Sequence, residues 1–61
     1  MMNDLSLLWT PAQTARILGI SRSQIYNLLK RGELDSVRIG RSRRIAKRQL
    51  DEYVERLIEA M

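Results

Sequence analysis

Sixty-one residues with a net charge of +4 and neither Cys nor His describe a short, basic chain. One domain spanning residues 1–61 is expected, with a small core, because a chain of this size buries only about 60% of its unfolded surface. The missing Cys and His exclude disulfides, the common zinc sites and His general-base chemistry; no apolar run approaches the ~18 residues that span a bilayer, and MMNDLSLLWT lacks the basic start of a secretion signal.

Residues 1–8 read as a loose lead-in whose Leu5, Leu7 and Leu8 are available to the core. A first helix is predicted over about 11–18. Thr10 supplies the N-cap, Pro11 the first helical position and Gln13 the third residue of a capping box. Ala12, Ala15 and Leu18 share one face, and Gly19 stops the helix.

A second helix is predicted over about 22–31, with Ser21 and Gln24 forming another capping box and Ile20 and Ile25 placed as a hydrophobic staple. At about 100° per residue, Ile25, Leu28 and Leu29 fall within one apolar arc. Ser23, Asn27 and Lys30 occupy the opposite side; Tyr26 and Arg31 flank it, and Arg22 and Gln24 lie near the first turn. Gly32 is the stop signal. Two short helices joined at a glycine are the elements of a helix-turn-helix, whose second helix suits a DNA major groove.

Residues 36–46, SVRIGRSRRIA, read as a two-stranded hairpin with Gly40, Arg41 and Ser42 as its turn and Val37, Ile39 and Ile45 facing inward. Such a ribbon must pack on the helices to be stable. A third helix is predicted over about 47–60, where Leu50, Tyr53, Val54, Leu57 and Ile58 follow the helical period and are assigned to the core. Glu52, Glu55 and Glu59 line its other side, and Glu52 and Arg56 are spaced to pair. Trp9 is read as core rather than as a stacking platform. The whole is mostly α with a small β-hairpin: a winged helix-turn-helix of three helices, with the wing between the second and third.

Charge is unevenly placed. From Arg16 to Arg48 there are ten Lys/Arg and two acids, a local balance of +8, whereas residues 49–61 carry −3. A concentrated basic block is the electrostatic footprint of a polyanion binder. Candidate base contacts are Ser23, Asn27 and Lys30, because Asn reads an adenine edge, Lys a guanine edge or a phosphate, and Ser either bases or backbone. Arg22 and Gln24 sit where a helix N-terminus favours phosphate, with Gln24 partly committed to its capping box. Tyr26 has two readings, a hydroxyl for a phosphate or a ring at the core edge. Arg31, Arg38, Arg41, Arg43 and Arg44 complete the candidate set, and an Arg-bearing hairpin tip suits a minor groove or flanking phosphates. There is no glycine-rich phosphate loop and no carboxylate pair in a plausible cleft, so neither an enzyme nor a cofactor is expected.

The run LWTPAQTARILGISRSQIYNLLKRGELDSVRIGRSRRIAKRQLDEYV, from Leu8 to about Val54, resembles the excisionase-type branch of the MerR-like winged-helix DNA-binding domains. The Thr10-initiated helix carries the likeness together with Gly19-Ile20-Ser21-Arg22, Ile25-Tyr26, Arg31-Gly32-Glu33-Leu34, Val37-Arg38-Ile39-Gly40, Arg43-Arg44-Ile45 and Leu50-Asp51-Glu52-Tyr53. The order and spacing of these pieces are more specific than any one of them. The resemblance implies a second helix in the major groove, contacting through Arg22, Ser23, Tyr26, Asn27 and Lys30, and a wing at the neighbouring minor groove or backbone, contacting through Arg41, Arg43 and Arg44. Two positions depart from the family pattern. Arg43 stands where many relatives carry an aromatic or His, and Ala46 replaces a Pro or polar residue, leaving the third helix weakly capped.

The resemblance implies one of two roles for a double-stranded-DNA binder in the cytoplasm. An excisionase bends attachment-site DNA to steer a tyrosine or serine integrase towards excision; a small MerR-like regulator controls transcription. A third helix of about fourteen residues, its apolar face already assigned to the core, favours the excisionase. Head-to-tail self-association on DNA is expected from acidic helix 3 meeting a neighbour's basic surface. A protein-interaction adaptor with a basic face is the alternative of a different class.

Overall fold

The structure, a computed structural model, describes residues 8–61. Its elements are β1 (Leu8–Trp9), α1 (Pro11–Leu18), α2 (Arg22–Lys30), β2 (Val37–Ile39), β3 (Ser42–Ala46) and α3 (Lys47–Glu59). Three helices and a hairpin wing between α2 and α3 make the expected winged helix-turn-helix.

Both capping boxes form. The Gln13 N–H donates to Thr10 Oγ1 at 3.0 Å and the Thr10 N–H to Gln13 Oε1 at 2.9 Å. The Gln24 N–H donates to Ser21 Oγ at 3.2 Å and the Ser21 N–H to Gln24 Oε1 at 3.0 Å. Each helix then closes on a glycine with a six-residue backbone loop: the Ile20 N–H reaches Ala15 O (3.0 Å) and the Glu33 N–H reaches Leu28 O (2.9 Å). These are Schellman stops, which satisfy carbonyls the helix leaves free. Ala46 has no side chain with which to cap α3, so only half a box remains, the Ala46 N–H donating to Gln49 Oε1 at 2.9 Å.

The core is Ala15, Ile25, Leu28, Leu34, Ile45 and Leu50, with Trp9, Leu18, Ile20, Leu29, Tyr53 and Val54 packed around it. Full burial of an Ile or Leu contributes about 1.5–3 kcal/mol. Thr14 is also fully buried, its Oγ1 donating to Thr10 O at 2.9 Å, so the hydroxyl adds no unsatisfied group. Ala12, expected on the core face of α1, is exposed, because α1 is rotated to bury Pro11, Thr14 and Ala15 instead.

Four further expectations are corrected. First, Leu8, expected in the loose lead-in, forms a strand with Trp9: Leu8–Trp9 pairs antiparallel with β3 (Leu8↔Ala46, Trp9↔Ile45) and extends the hairpin to a sheet of order β1-β3-β2. Trp9 packs against the core, Leu8 is exposed, and Leu5 and Leu7 lie outside the described residues.

Second, the wing turn is two residues, Gly40–Arg41, and Ser42 pairs with Ile39. Gly40 has φ +60° and Arg41 no positive φ, the pattern of a type II′ turn, which matches the twist of the strands. This register puts Val37, Ile39, Ser42 and Arg44 on one face and Arg38, Arg43 and Ile45 on the other. Ile45 is buried as expected, but Val37 (37% exposed) and Ile39 (56%) point away from the helices.

Third, Leu57 (48% exposed) and Ile58 (62%) are not in the core, because α3 runs past the sheet and helices that cover its first two turns. Fourth, Arg56 does not pair with Glu52; its Nη2 donates to Glu33 O at 2.8 Å, tying α3 to the turn after α2.

Candidate nucleic-acid interface

Burial of Ile25 and Leu28 fixes the rotation of α2. Arg22, Ser23, Gln24, Tyr26, Asn27 and Lys30 are all exposed on the remainder of the helix, and Arg31 is exposed at its cap. Helical spacing sorts them. Ser23 and Lys30, seven apart, crown the outer face. Gln24, Asn27 and Arg31 turn towards α3 and line a shallow groove of about 290 Å³ with Ile20, Leu28 and Tyr53. Tyr26 lies on the opposite flank and is 46% exposed, so its ring is not buried at the core edge.

Two of these side chains have part of their capacity occupied. Gln24 Oε1 accepts the Ser21 N–H, so the cap holds this amide against the first turn of α2. Arg31 Nε donates to Glu33 Oε2 at 3.2 Å. The pair is well exposed, where such contacts stabilise by about 0–1 kcal/mol, and a stronger anion can displace the carboxylate. The sequence carries no signal of a site role for Tyr53, whose helical period marks it only as core; the groove it shares with Asn27 is formed by two elements far apart in sequence.

The wing arginines are not gathered on one surface. Arg38 and Arg43 are a directly opposed cross-strand pair on the face that carries Ile45. Opposed side chains in an antiparallel pair stand about 5 Å apart at Cβ, and like charges there are destabilising. Arg44 belongs to the other face, with its Nη1 donating to Arg43 O at 3.2 Å, while Arg41 occupies the turn. The ion pairs among the described residues, Arg31–Glu33 and Lys47–Asp51, include none of these four. The hairpin therefore carries Arg38 and Arg43 on one face, Arg44 on the other and Arg41 at its turn, and α2 adds a further cationic region.

A helix-turn-helix domain family matches residues 10–57, from the Thr10 cap of α1 to the last turns of α3. The chain belongs to this helix-turn-helix domain family. A probable excisionase from Saccharopolyspora erythraea is 46% identical over 52 residues, covering 85% of the chain. The chain spans 53% of that relative's length. No solved structure matches the chain. Both comparisons meet the expectation of an excisionase-type helix-turn-helix domain. Among its described residues, no helix is long and apolar enough to cross a membrane.

Proposed function

We propose that this helix-turn-helix domain is a sequence-specific binder of double-stranded DNA that serves as an excisionase: it binds and bends attachment-site DNA and so directs an integrase towards excision. It acts by binding, without catalysing a reaction itself, in the nucleoid of the cytoplasm. The observation that carries this reading is the combination of an α2 face polar from Arg22 to Arg31 with a hairpin whose four arginines have no acidic partner among the described residues. Its likeness to a probable excisionase supports the role.

In this reading α2 enters the major groove. Asn27 reads a base edge, Ser23 and Lys30 contact bases or backbone, and Arg22, Gln24, Tyr26 and Arg31 hold flanking phosphates. The wing arginines grip the backbone beside it. The acidic outer side of α3, Glu52, Glu55 and Glu59, meets the basic surface of the next copy, which places successive copies head to tail. Charge reversal of those three residues tests this contact: cooperativity between adjacent sites is lost if α3 makes it and is unchanged if it does not.

The exposed Leu57 and Ile58 favour a second reading, a transcriptional regulator that dimerises through α3. Sedimentation separates the two: a monomer off DNA supports the excisionase, and a dimer dissociated by Leu57→Ser with Ile58→Ser supports the regulator. The role itself is tested with an integrase and its paired attachment sites. Added protein should raise excision and depress integration; excision that is indifferent to the protein contradicts the proposal.

A further inference from the structure

The apolar residues that the register turns outward lie in a chemical setting of their own. Ile39 and Ser42 form the last pair before the Gly40–Arg41 turn, so Ile39 is the first large apolar side chain behind the tip. Val37 lies two residues behind it on the same face, opposite Arg44. The apolar pair is thus bracketed by Arg41 in front and Arg44 behind, with Arg38 and Arg43 on the reverse face. β2 is an edge strand, so Ile39 has a strand neighbour on one side only. The exposed Leu57 and Ile58 of α3 sit instead beside Glu55 and Glu59. The wing pair, by contrast, has a rim of four arginines that attracts a polyanion.

We propose that Ile39 is a wedge that the wing inserts into the DNA minor groove, where it unstacks a base step and kinks the duplex. The inference rests on the DNA-binding reading above and adds a mechanism for bending to it. Dimensions select the residue. An undeformed minor groove is about 6 Å wide, and two strands alone are about 4.8 Å apart before side chains are counted. The ribbon cannot enter flat, so only its tip enters, and there Gly40 contributes no side chain. Ile39, Arg41 and Ser42 go deepest. Arg41 follows the negative potential of the groove while Arg38, Arg43 and Arg44 stay at the phosphates on its two walls. Apolar side chains inserted in this way partly unstack a step and bend DNA towards the major groove.

The test uses the full chain and a mixed-sequence duplex labelled at both ends for energy transfer, with 2-aminopurine at a central TA step. Wild-type protein should shorten the end-to-end distance and raise 2-aminopurine fluorescence. Ile39→Thr keeps a β-branched residue on an exposed strand; it should still bind, with an unchanged salt slope, yet lose most of both signals, and Ile39→Leu should restore them. Arg41→Gln should instead lower the salt slope by about 0.9, the share of one phosphate contact. Bending and fluorescence by Ile39→Thr equal to wild type overturn the wedge while leaving DNA binding intact. A wild-type protein that binds without a fluorescence rise overturns it as well. Failure of wild type to bind the duplex at any salt overturns the DNA-binding reading itself.

Discussion

The second helix and the wing are neighbours in the chain, and they obey different kinds of rule. In α2, which residues are buried follows from local information: a Ser21 cap, a Gly32 stop and a period of 3.6 place Ile25 and Leu28 inside and Asn27 outside. In the wing, burial depends on pairing register, and register depends on the turn. A three-residue turn, Gly40 to Ser42, would set Ile39 opposite Arg43 and Val37 opposite Ile45, bringing all three apolar residues to one face. The actual two-residue turn sets Ile39 opposite Ser42 and separates Val37 and Ile39 from Ile45. A shift of one residue exchanges the faces of a strand, and a helix has no equivalent error.

The largest effect that can break this contrast compares two isoleucines of the wing. Ile45→Ala should cost about 2–5 kcal/mol, since Ile45 is fully buried. Ile39→Ala should stay within about 0.5 kcal/mol, as expected for a surface site. Denaturant midpoints measure both, and equal losses would show that the register is wrong. Next in size, Asn27→Ala should weaken DNA binding by about 1–3 kcal/mol and relax preference at one base position; a uniform loss across sequences would make Asn27 a backbone contact. Ser21→Ala should destabilise the fold by about 1 kcal/mol through loss of the cap on α2, and an unchanged unfolding midpoint would contradict that assignment. Smallest is Arg38→Gln, which relieves the opposed charge of Arg43. It should stabilise the free protein by about 0.2–1 kcal/mol while lowering its affinity for DNA. Stability and affinity falling together would mean that the two arginines do not oppose each other.

The same contrast explains what was legible before the structure. Both capped helices, their glycine stops and the polar face of α2 are local properties, and they stand as expected. β1 was not legible because two residues, Leu8–Trp9, carry no period, and their partner Ala46 is thirty-eight positions away. Leu57 and Ile58 follow the helical period faithfully, but periodicity identifies an apolar face and not whether anything covers it. On the candidate site, spacing along α2 found the exposed residues. Their division between the outer crown, the Tyr53 groove and the Tyr26 flank, and the sorting of Arg38 and Arg43 from Arg44, required α3 and the sheet register to be in place.

The central claim is that α2 and the wing together form a surface for duplex DNA. The most direct measurement is the affinity of the full chain for duplex DNA across a range of salt concentrations, repeated with Arg41, Arg43 and Arg44 changed to Gln. With about five phosphates neutralised, log K should fall against log salt with a slope near −4.5, and the triple variant should fall with a slope shallower by about 2.7. A flat response in the wild type, or an identical slope in the variant, would contradict the claim.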